Sequence, residues 1–547
     1  MNIAEKYASE NPFIYCERTW PDNKILSAPQ WCSVDLRDGN QALVSPMNVR
    51  NKLAFFRMLT DIGIREIEVG FPSASNIEYE FLRKLAEKNL IPENVFVQVL
   101  APCRSNLIAR TMQAIRGIRN PIIHIYSSTA PLMRNVVFKM DKENVKRIAV
   151  NGVCDVRFMC KDIDGKVILE YSPEHFNETE IDYALQVCEE VAENWLPYGC
   201  GGLIINLPAT VERDTPNIFA DQVEYFSRHL SCRKDITLSV HVHNDRGCAV
   251  AATELAIMAG ADRVEGTLFG NGERTGNTNI ITMAGNMMSK GIDPKVSLEK
   301  LPEIAKKYET LTNMNIDPRL PYVGSLVYTA FSGSHQDAIS KGTRAGASSK
   351  HWDVPYLPVD PADCGRTYES VVRINSQSGK GGLDYILQSN FGLKLPKNML
   401  VDFSREIQAL SEKLGEILPE QILNSFEKKY CLNQKKITFI SCVDNADVRT
   451  IRLLIEGKGI ELEYGTVLTL DELFPQLIYE LTGRKYNYQM SVSSFFGGCG
   501  RSFCCVELCK EDNEKVYGAS IGAAAVENQL MALISAINNL PYDFNLG

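Results

Sequence analysis

Between residues 31 and 291 one pattern of apolar and polar positions recurs. A short β-branched run leads into a polar or Gly-rich loop, and an amphipathic stretch with helical spacing follows. The runs predict strands over 31–36, 65–70, 95–101, 122–127, 166–171, 202–207, 236–243 and 263–269. Helices are predicted between them. Residues 49–62 and 77–90 place apolar side chains three and four apart. Residues 248–260 are rich in Ala, a strong helix former, and stop at Gly260. Eight such units match a (β/α)8 barrel, which typically takes about 250 residues. An open doubly wound sheet fits less well, because no Gly-x-Gly-x-x-Gly follows the first strand. The fold class expected is α/β: a TIM barrel, then a helical linker region, then a C-terminal α+β domain. The divisions expected are an extension over 1–27, a catalytic barrel over 28–322, accessory subdomains over 323–430 and a regulatory-like domain over 431–547.

Beyond the barrel the period changes. Residues 403–423 read as helix. From 436 the chain reads twice as strands followed by one helix: strands 436–443 and 449–456 with helix 470–481, then strands 488–494 and 502–508 with helix 521–539.

A barrel places its chemistry at the carboxyl ends of its strands, and polar groups gather there from six of them. The first strand ends in Leu36-Arg37-Asp38-Gly39-Asn40-Gln41, and the second carries Glu68 before Gly70-Phe71-Pro72. The fourth holds His124, and the sixth runs through Asn206 and Thr210 to Glu212. The seventh ends His241-Val242-His243-Asn244-Asp245. Side chains two apart on a strand share a face, so two of the chain's 7 histidines aim at one point. Two imidazoles and one carboxylate form a facial set for a divalent metal such as Mg, Mn or Zn, and Asp38 is the candidate carboxylate. Such an ion acts as a Lewis acid on a 2-oxo acid. Arg37 beside it is placed either to hold developing negative charge or to form a local ion pair. After the eighth strand comes Gly270-Asn271-Gly272-Glu273-Arg274-Thr275-Gly276-Asn277. Its glycines either let backbone approach a ligand closely or make a tight strand-to-helix turn.

Composition excludes several classes of function. Net charge is −9, and no Lys/Arg stripe offers a footprint for nucleic acid. No apolar run reaches the roughly 18 residues of a membrane span, and the first residues lack a signal-peptide layout; a cytoplasmic location is expected. The 16 cysteines are scattered, as free thiols are in a reducing compartment. A cluster, Cys499, Cys504, Cys505 and Cys509, lacks the spacing of a zinc ribbon, and no metal is assigned to it.

Taken together, Leu-Arg-Asp-Gly-Asn-Gln, Ile-Glu-Val-Gly-Phe-Pro, Asn-Leu-Pro-Ala-Thr-Val-Glu, His-Val-His-Asn-Asp-Arg-Gly and Gly-Asn-Gly-Glu-Arg-Thr-Gly-Asn resemble the 2-isopropylmalate synthases in their longer form. These lie within the metal-dependent Claisen-condensing barrels. The likeness continues through Ser332-Gly333-Ser334-His335-Gln336-Asp337, Gly365-Arg366-Thr367-Tyr368-Glu369 and residues 375–382. It implies condensation of acetyl-CoA with 2-oxoisovalerate and water, the first committed step of leucine biosynthesis, or the same condensation on another 2-oxo acid. By position it implies Asp38, His241 and His243 as metal ligands with Asn277 beside them, and Arg37 stabilising the enolate or alkoxide. Glu212 is then the base, and Glu68, His124 and Thr210 orient the keto acid. Gly270, Asn271 and Gly272 face acetyl-CoA. His335 and Tyr368 close over the site of a partner subunit, in a homodimer. The family's Gly-rich leucine-binding loops are poorly matched by 463–467 and 518–522. Feedback by leucine, sensing of another amino acid and a purely dimer-holding role all stay open.

Overall fold

The computed structural model describes residues 2–7, 13–163, 165–330, 332–346, 350–366, 380–414, 417–431, 436–494, 502–509, 515–523 and 525–541. The chain forms two units: Met1–Val327 with Val359–Arg366, and Tyr328–Pro358 with Thr367–Gly547.

The first unit opens with a short helix α1 (Ile3–Lys6) and then builds a closed parallel barrel in sequence order. Its strands are β1 (Gln30–Ser33), β2 (Glu66–Gly70), β3 (Phe96–Pro102), β4 (Pro121–Ser128), β5 (Ile168–Glu174), β6 (Leu203–Ala209), β7 (Thr237–Val242) and β8 (Arg263–Gly266). The alternating helices are α2 (Val49–Asp61), α3 (Asn76–Glu87), α4 (Ser105–Ala114), α5 (Lys142–Met159), α6 (Ile181–Trp195), α7 (Pro216–His229), α8 (Ala249–Met258) and α9 (Ile280–Met288), followed by α10 (Leu301–Thr312). Local chemistry starts these helices where the pattern expects. Asn48 accepts from the Asn51 N–H at the head of α2, and Asp141 from the Asn144 N–H at the head of α5. The inner face of α2 buries Phe55, Phe56, Met58 and Leu59 against the sheet.

The barrel is the expected one, with strand ends moved by a few residues. One of these shifts matters for the site. β5 runs to Glu174, past the expected end at 171. Pro173 lacks an N–H and reads as a strand terminator in sequence, but here it continues the pairing, opposite Ser127.

In the second unit come α11 (Gly333–Gly346), α12 (Lys380–Phe391), α13 (Lys397–Leu414) and α14 (Pro419–Phe426). The single helix expected over 403–423 is thus two, α14 starting anew at Pro419, where proline suits a first turn. Two three-stranded antiparallel sheets follow. One has the order β11 (Lys458–Gly465), β10 (Val448–Ile455), β9 (Ile437–Asn445), and is followed by α15 (Leu470–Thr482). The other has the order β12 (Asn487–Ser494), β13 (Ser502–Cys509), β14 (Lys515–Gly522), and is followed by α16 (Ala525–Asn538). Each repeat has one strand more than its hydrophobic pattern announces. The stretches compared with Gly-rich loops are therefore strand: 463–465 ends β11 and 518–522 ends β14. Gly518 is needed for packing, since a Cβ there would fall 2.1 Å from the Ala536 backbone nitrogen of α16.

Candidate active site

Asp38 lies in the turn Asp35–Gly39 that follows β1. His241 is near the end of β7 and His243 just beyond it, as the two-residue spacing requires. All three are buried. Asp38 Oδ2 is 3.9 Å from Nε2 of His241 and 3.9 Å from Nε2 of His243. One donor atom from each lies within 4.8 Å of the other two.

The surroundings prepare this triangle for a cation. Glu265, on β8, accepts from His241 Nδ1 at 2.8 Å, which turns the Nε2 lone pair toward the triangle. Burial and the neighbouring His241 push the His243 imidazole down to about 4, against the pull of Asp38, so it is a neutral donor at physiological pH. Burial opposes ionisation of Asp38, but Arg37 and the two imidazoles win and hold its carboxyl at about 2. Asn277 donates to Asp38 Oδ2 at 2.6 Å, while its own Oδ1 is buried without a hydrogen-bond partner. A buried carbonyl without a partner is costly, and a cation beside it would satisfy it. The residues fit a divalent ion.

A second group, His124, Glu170 and Glu265, is equally close-packed in the barrel interior. Its cation is already supplied by the protein. The fully buried guanidinium of Arg263 lies 3.1 Å from Glu265, 3.4 Å from Glu170 and 2.6 Å from Glu66. It also donates to Gln98 Oε1 at 2.6 Å and Ser239 Oγ at 2.8 Å. Burial and the like charges of Glu265 and Glu68 raise the Glu170 carboxyl well above its usual range, despite Arg263.

A cavity of about 630 Å³ opens over the first triangle. Of the expected residues, Arg37, Asp38, His124, Thr210, His241 and His243 line it. Arg37 donates to Asp38 Oδ1 at 2.9 Å and to Glu68. Glu68 is fully buried behind the wall and also takes His124 Nδ1 at 2.8 Å. Its contacts are with Arg37, His124 and Gln98, so it orients the wall.

Glu212 is not among the lining residues. Its Oε2 accepts the backbone N–H of Arg246 at 2.5 Å and that of Cys248 at 3.4 Å, at the start of α8. That is where a carboxylate caps a helix. Gly270, Asn271 and Gly272 likewise pack on the protein. Asn271 donates to the Gly39 carbonyl at 2.8 Å, and a Cβ on Gly272 would fall 2.1 Å from the Asn277 side chain. The stretch is the tight turn that seats Asn277 against Asp38, and only Glu273 and Arg274 of it reach the cavity. His335 lies in the second unit, exposed on α11 and stacked on Tyr356 with ring centroids 4.0 Å apart. Tyr368 and Cys499 lie outside the described residues. Cys504 and Cys505 are neighbours on β13 and pack into different cores. They do not converge on one ion.

The lining residues to which the sequence assigned no role include Glu174 and Arg274. Glu174 ends β5, and its carboxylate is partly exposed in the cavity, 3.8 Å from His175 Nδ1. Arg274 adds a second guanidinium, paired with Asp245 at 2.7 Å. The available signal was an ionisable side chain at a strand's carboxyl end for Glu174 and in the loop after the eighth strand for Arg274.

Comparison with known proteins agrees with this architecture. Residues 28–307 match the family described as HMGL-like. Residues 325–388 match the alpha-isopropylmalate synthase post-catalytic domain-like family. The chain is 46% identical to the 2-isopropylmalate synthase of Clostridium acetobutylicum over 95% of its own length and 96% of that protein's. The chain belongs to the 2-isopropylmalate synthase family. Relatives of the same name from Acetoanaerobium sticklandii and Agrobacterium fabrum are 43% and 44% identical, with at least 96% of each chain covered. Membership thus extends through the second unit as well as the barrel.

Proposed function

We propose that this chain is an acyltransferase that condenses acetyl-CoA with 2-oxoisovalerate and water, giving 2-isopropylmalate and CoA, the first committed step of leucine biosynthesis. The observation that carries the reading is the Asp38, His241, His243 triangle at the mouth of a barrel whose chain aligns end to end with these synthases. Asp38, His241 and His243 would hold the divalent cation, with Asn277 beside them. When bound, the ion supplies Lewis acidity toward the oxygens of the keto acid.

The chain's own groups account for the rest. A thioester methyl is a very weak acid, so its proton needs a well-placed base. Among the carboxylates lining the cavity, Asp38 faces the imidazoles, Glu78 is paired with Lys52 and Glu273 takes a hydrogen bond from Gln41 at 3.2 Å. Glu174 is left for the proton, and this role passes to it from Glu212. The carbanion carbon then bonds to the ketone carbon, and the ketone's π electrons become an alkoxide. Arg37, held in one orientation by Glu68, faces that charge. Water cleaves the C–S bond, leaving a carboxylate and the thiol of CoA. Leu100, Tyr126 and Pro208 give the cavity an apolar wall suited to a branched alkyl group. His124, bonded at 2.8 Å to Ser172 Oγ, and Thr210 give it polar anchors.

We read the working form as a cytoplasmic homodimer in which His335 and Tyr368 cover a partner's site. The support is family membership and the free thiols among the described cysteines. The test is thiol release from acetyl-CoA across a panel of 2-oxo acids with Mg, Mn or Zn present. Preference for 2-oxoisovalerate is the expected result; preference for another acid moves the substrate assignment, and no release with any acid refutes the reading. Glu174→Gln should lower kcat about 10²–10⁴-fold with bound metal retained; wild-type turnover in that variant would remove Glu174 as the base.

A further inference from the structure

Lys52 lies on the inward face of α2 with its side chain wholly buried. An ammonium has three donors, and all three are spent. They go to the Leu36 carbonyl at 2.8 Å, the Val69 carbonyl at 3.1 Å and the carboxylate of Glu78. No donor is left for solvent or substrate, so this lysine is neither a nucleophile nor an acid.

Its partners are placed with a purpose. Leu36 immediately precedes Arg37 and Asp38. Val69 immediately follows Glu68, the carboxylate that Arg37 grips. Glu78 belongs to the first turn of α3 and lines the cavity. One cation therefore ties together the backbone on both sides of the Arg37–Glu68 pair and the helix beside it. Gly70 is an independent sign of the same construction. A Cβ there would lie 1.8 Å from Glu78 Oε2 and 3.4 Å from Lys52 Nζ, so a side chain at this position would displace Glu78.

We propose that Lys52 is a positioning residue for the reaction, setting the guanidinium of Arg37 and the carboxylate of Asp38 by clamping the β1 turn to the end of β2 and the start of α3. The inference rests on Asp38 being a metal ligand and Arg37 facing the reacting oxygen. Lys52→Met keeps the length and apolar stem while removing every donor. Equilibrium dialysis of metal-free protein against Mn²⁺ should show affinity weakened on the order of 10-fold. CoA release should show kcat lowered about 10–100-fold, the range for residues that orient ligands from behind. Gly70→Ala should reproduce both losses. Phe55→Leu, a change at a fully buried position of the same helix, supplies the control. It destabilises without touching the clamp and should keep wild-type affinity and kcat. If Lys52→Met fails to fold, Glu78→Gln carries the test with the same two readouts. Loss no greater than that of Phe55→Leu overturns the proposal. Wild-type protein that binds no Mn²⁺ and releases no CoA instead sinks the functional reading beneath it, so the two failures are distinguishable.

Discussion

Two clusters of imidazole and carboxylate lie in this barrel, and by proximity alone they are equals. Asp38, His241 and His243 face a cavity; His124, Glu170 and Glu265 lie in the barrel interior around Arg263. The second cluster already contains its cation, bound covalently to the chain and hydrogen-bonded on several sides. The first faces a cavity with an imidazole held neutral and the Asn277 amide oxygen buried without a hydrogen-bond partner; the Glu170 oxygens of the second also lack a hydrogen bond, but one has the Arg263 guanidinium 3.4 Å away. A ligand site is thus marked less by the donors gathered than by whether the fold has already placed a cation among them. The two are also linked, since Glu265 takes part in both, bonding Arg263 on one side and His241 on the other.

The comparison breaks if the open cluster proves indifferent to metal. His243→Ala should abolish bound metal and lower kcat by at least about 10³-fold, because several kcal/mol of charge stabilisation is lost. Metal content by mass spectrometry and CoA release check this, and full metal content with full rate would remove the ligand assignment. The closed cluster should behave oppositely. Arg263→Met leaves Glu66 and Glu265 without their buried counter-ion, and should cost about 3–5 kcal/mol of stability in denaturant unfolding. Unchanged stability there would mean the interior carboxylates are not charged.

Acidification sharpens the contrast. The His243 pKa falls from 6.5 to about 4 on folding, so the folded chain refuses a proton that the unfolded chain accepts. Stability contributed by this group is whole above about 6.5 and is lost as pH falls toward about 4. The loss for metal-free protein is on the order of 3 kcal/mol. Unfolding curves at stepped pH should show this slope in wild type and a shallower one in His243→Ala. The smallest effect is expected at Glu212, whose Oε2 accepts backbone N–H groups. Glu212→Gln should cost about 1 kcal/mol of stability and leave kcat near wild type. A collapse of kcat with metal still bound would return it to the reacting centre.

How much was legible follows from how locally each feature is encoded. The eight barrel units were readable because strand and helix alternate with clean periods and the caps are local. His241 and His243 were readable because a period of two fixes their shared face. The third strand of each C-terminal repeat was not. β11 is an exposed edge strand with few inward apolar residues, and β14 is interrupted by Gly518, which carries no side chain to show a period. Which carboxylate faces the cavity was hidden for a similar reason. Glu174 ends one barrel strand and Glu212 follows the next, and no pattern along the chain tells which carboxylate points into the cavity and which caps a helix.

The amino-acid order by itself therefore determined the barrel, the strand ends that bear chemistry and the shared face of His241 and His243, since each depends on spacing within a few residues. The folded structure alone decided that Glu174 rather than Glu212 faces the cavity and that Arg263 fills the second cluster. It also decided that Lys52 clamps the turn bearing Asp38. Those outcomes depend on which groups distant in sequence reach one another first, and a buried charge or hydrogen-bonding group is settled by the partner it meets in space.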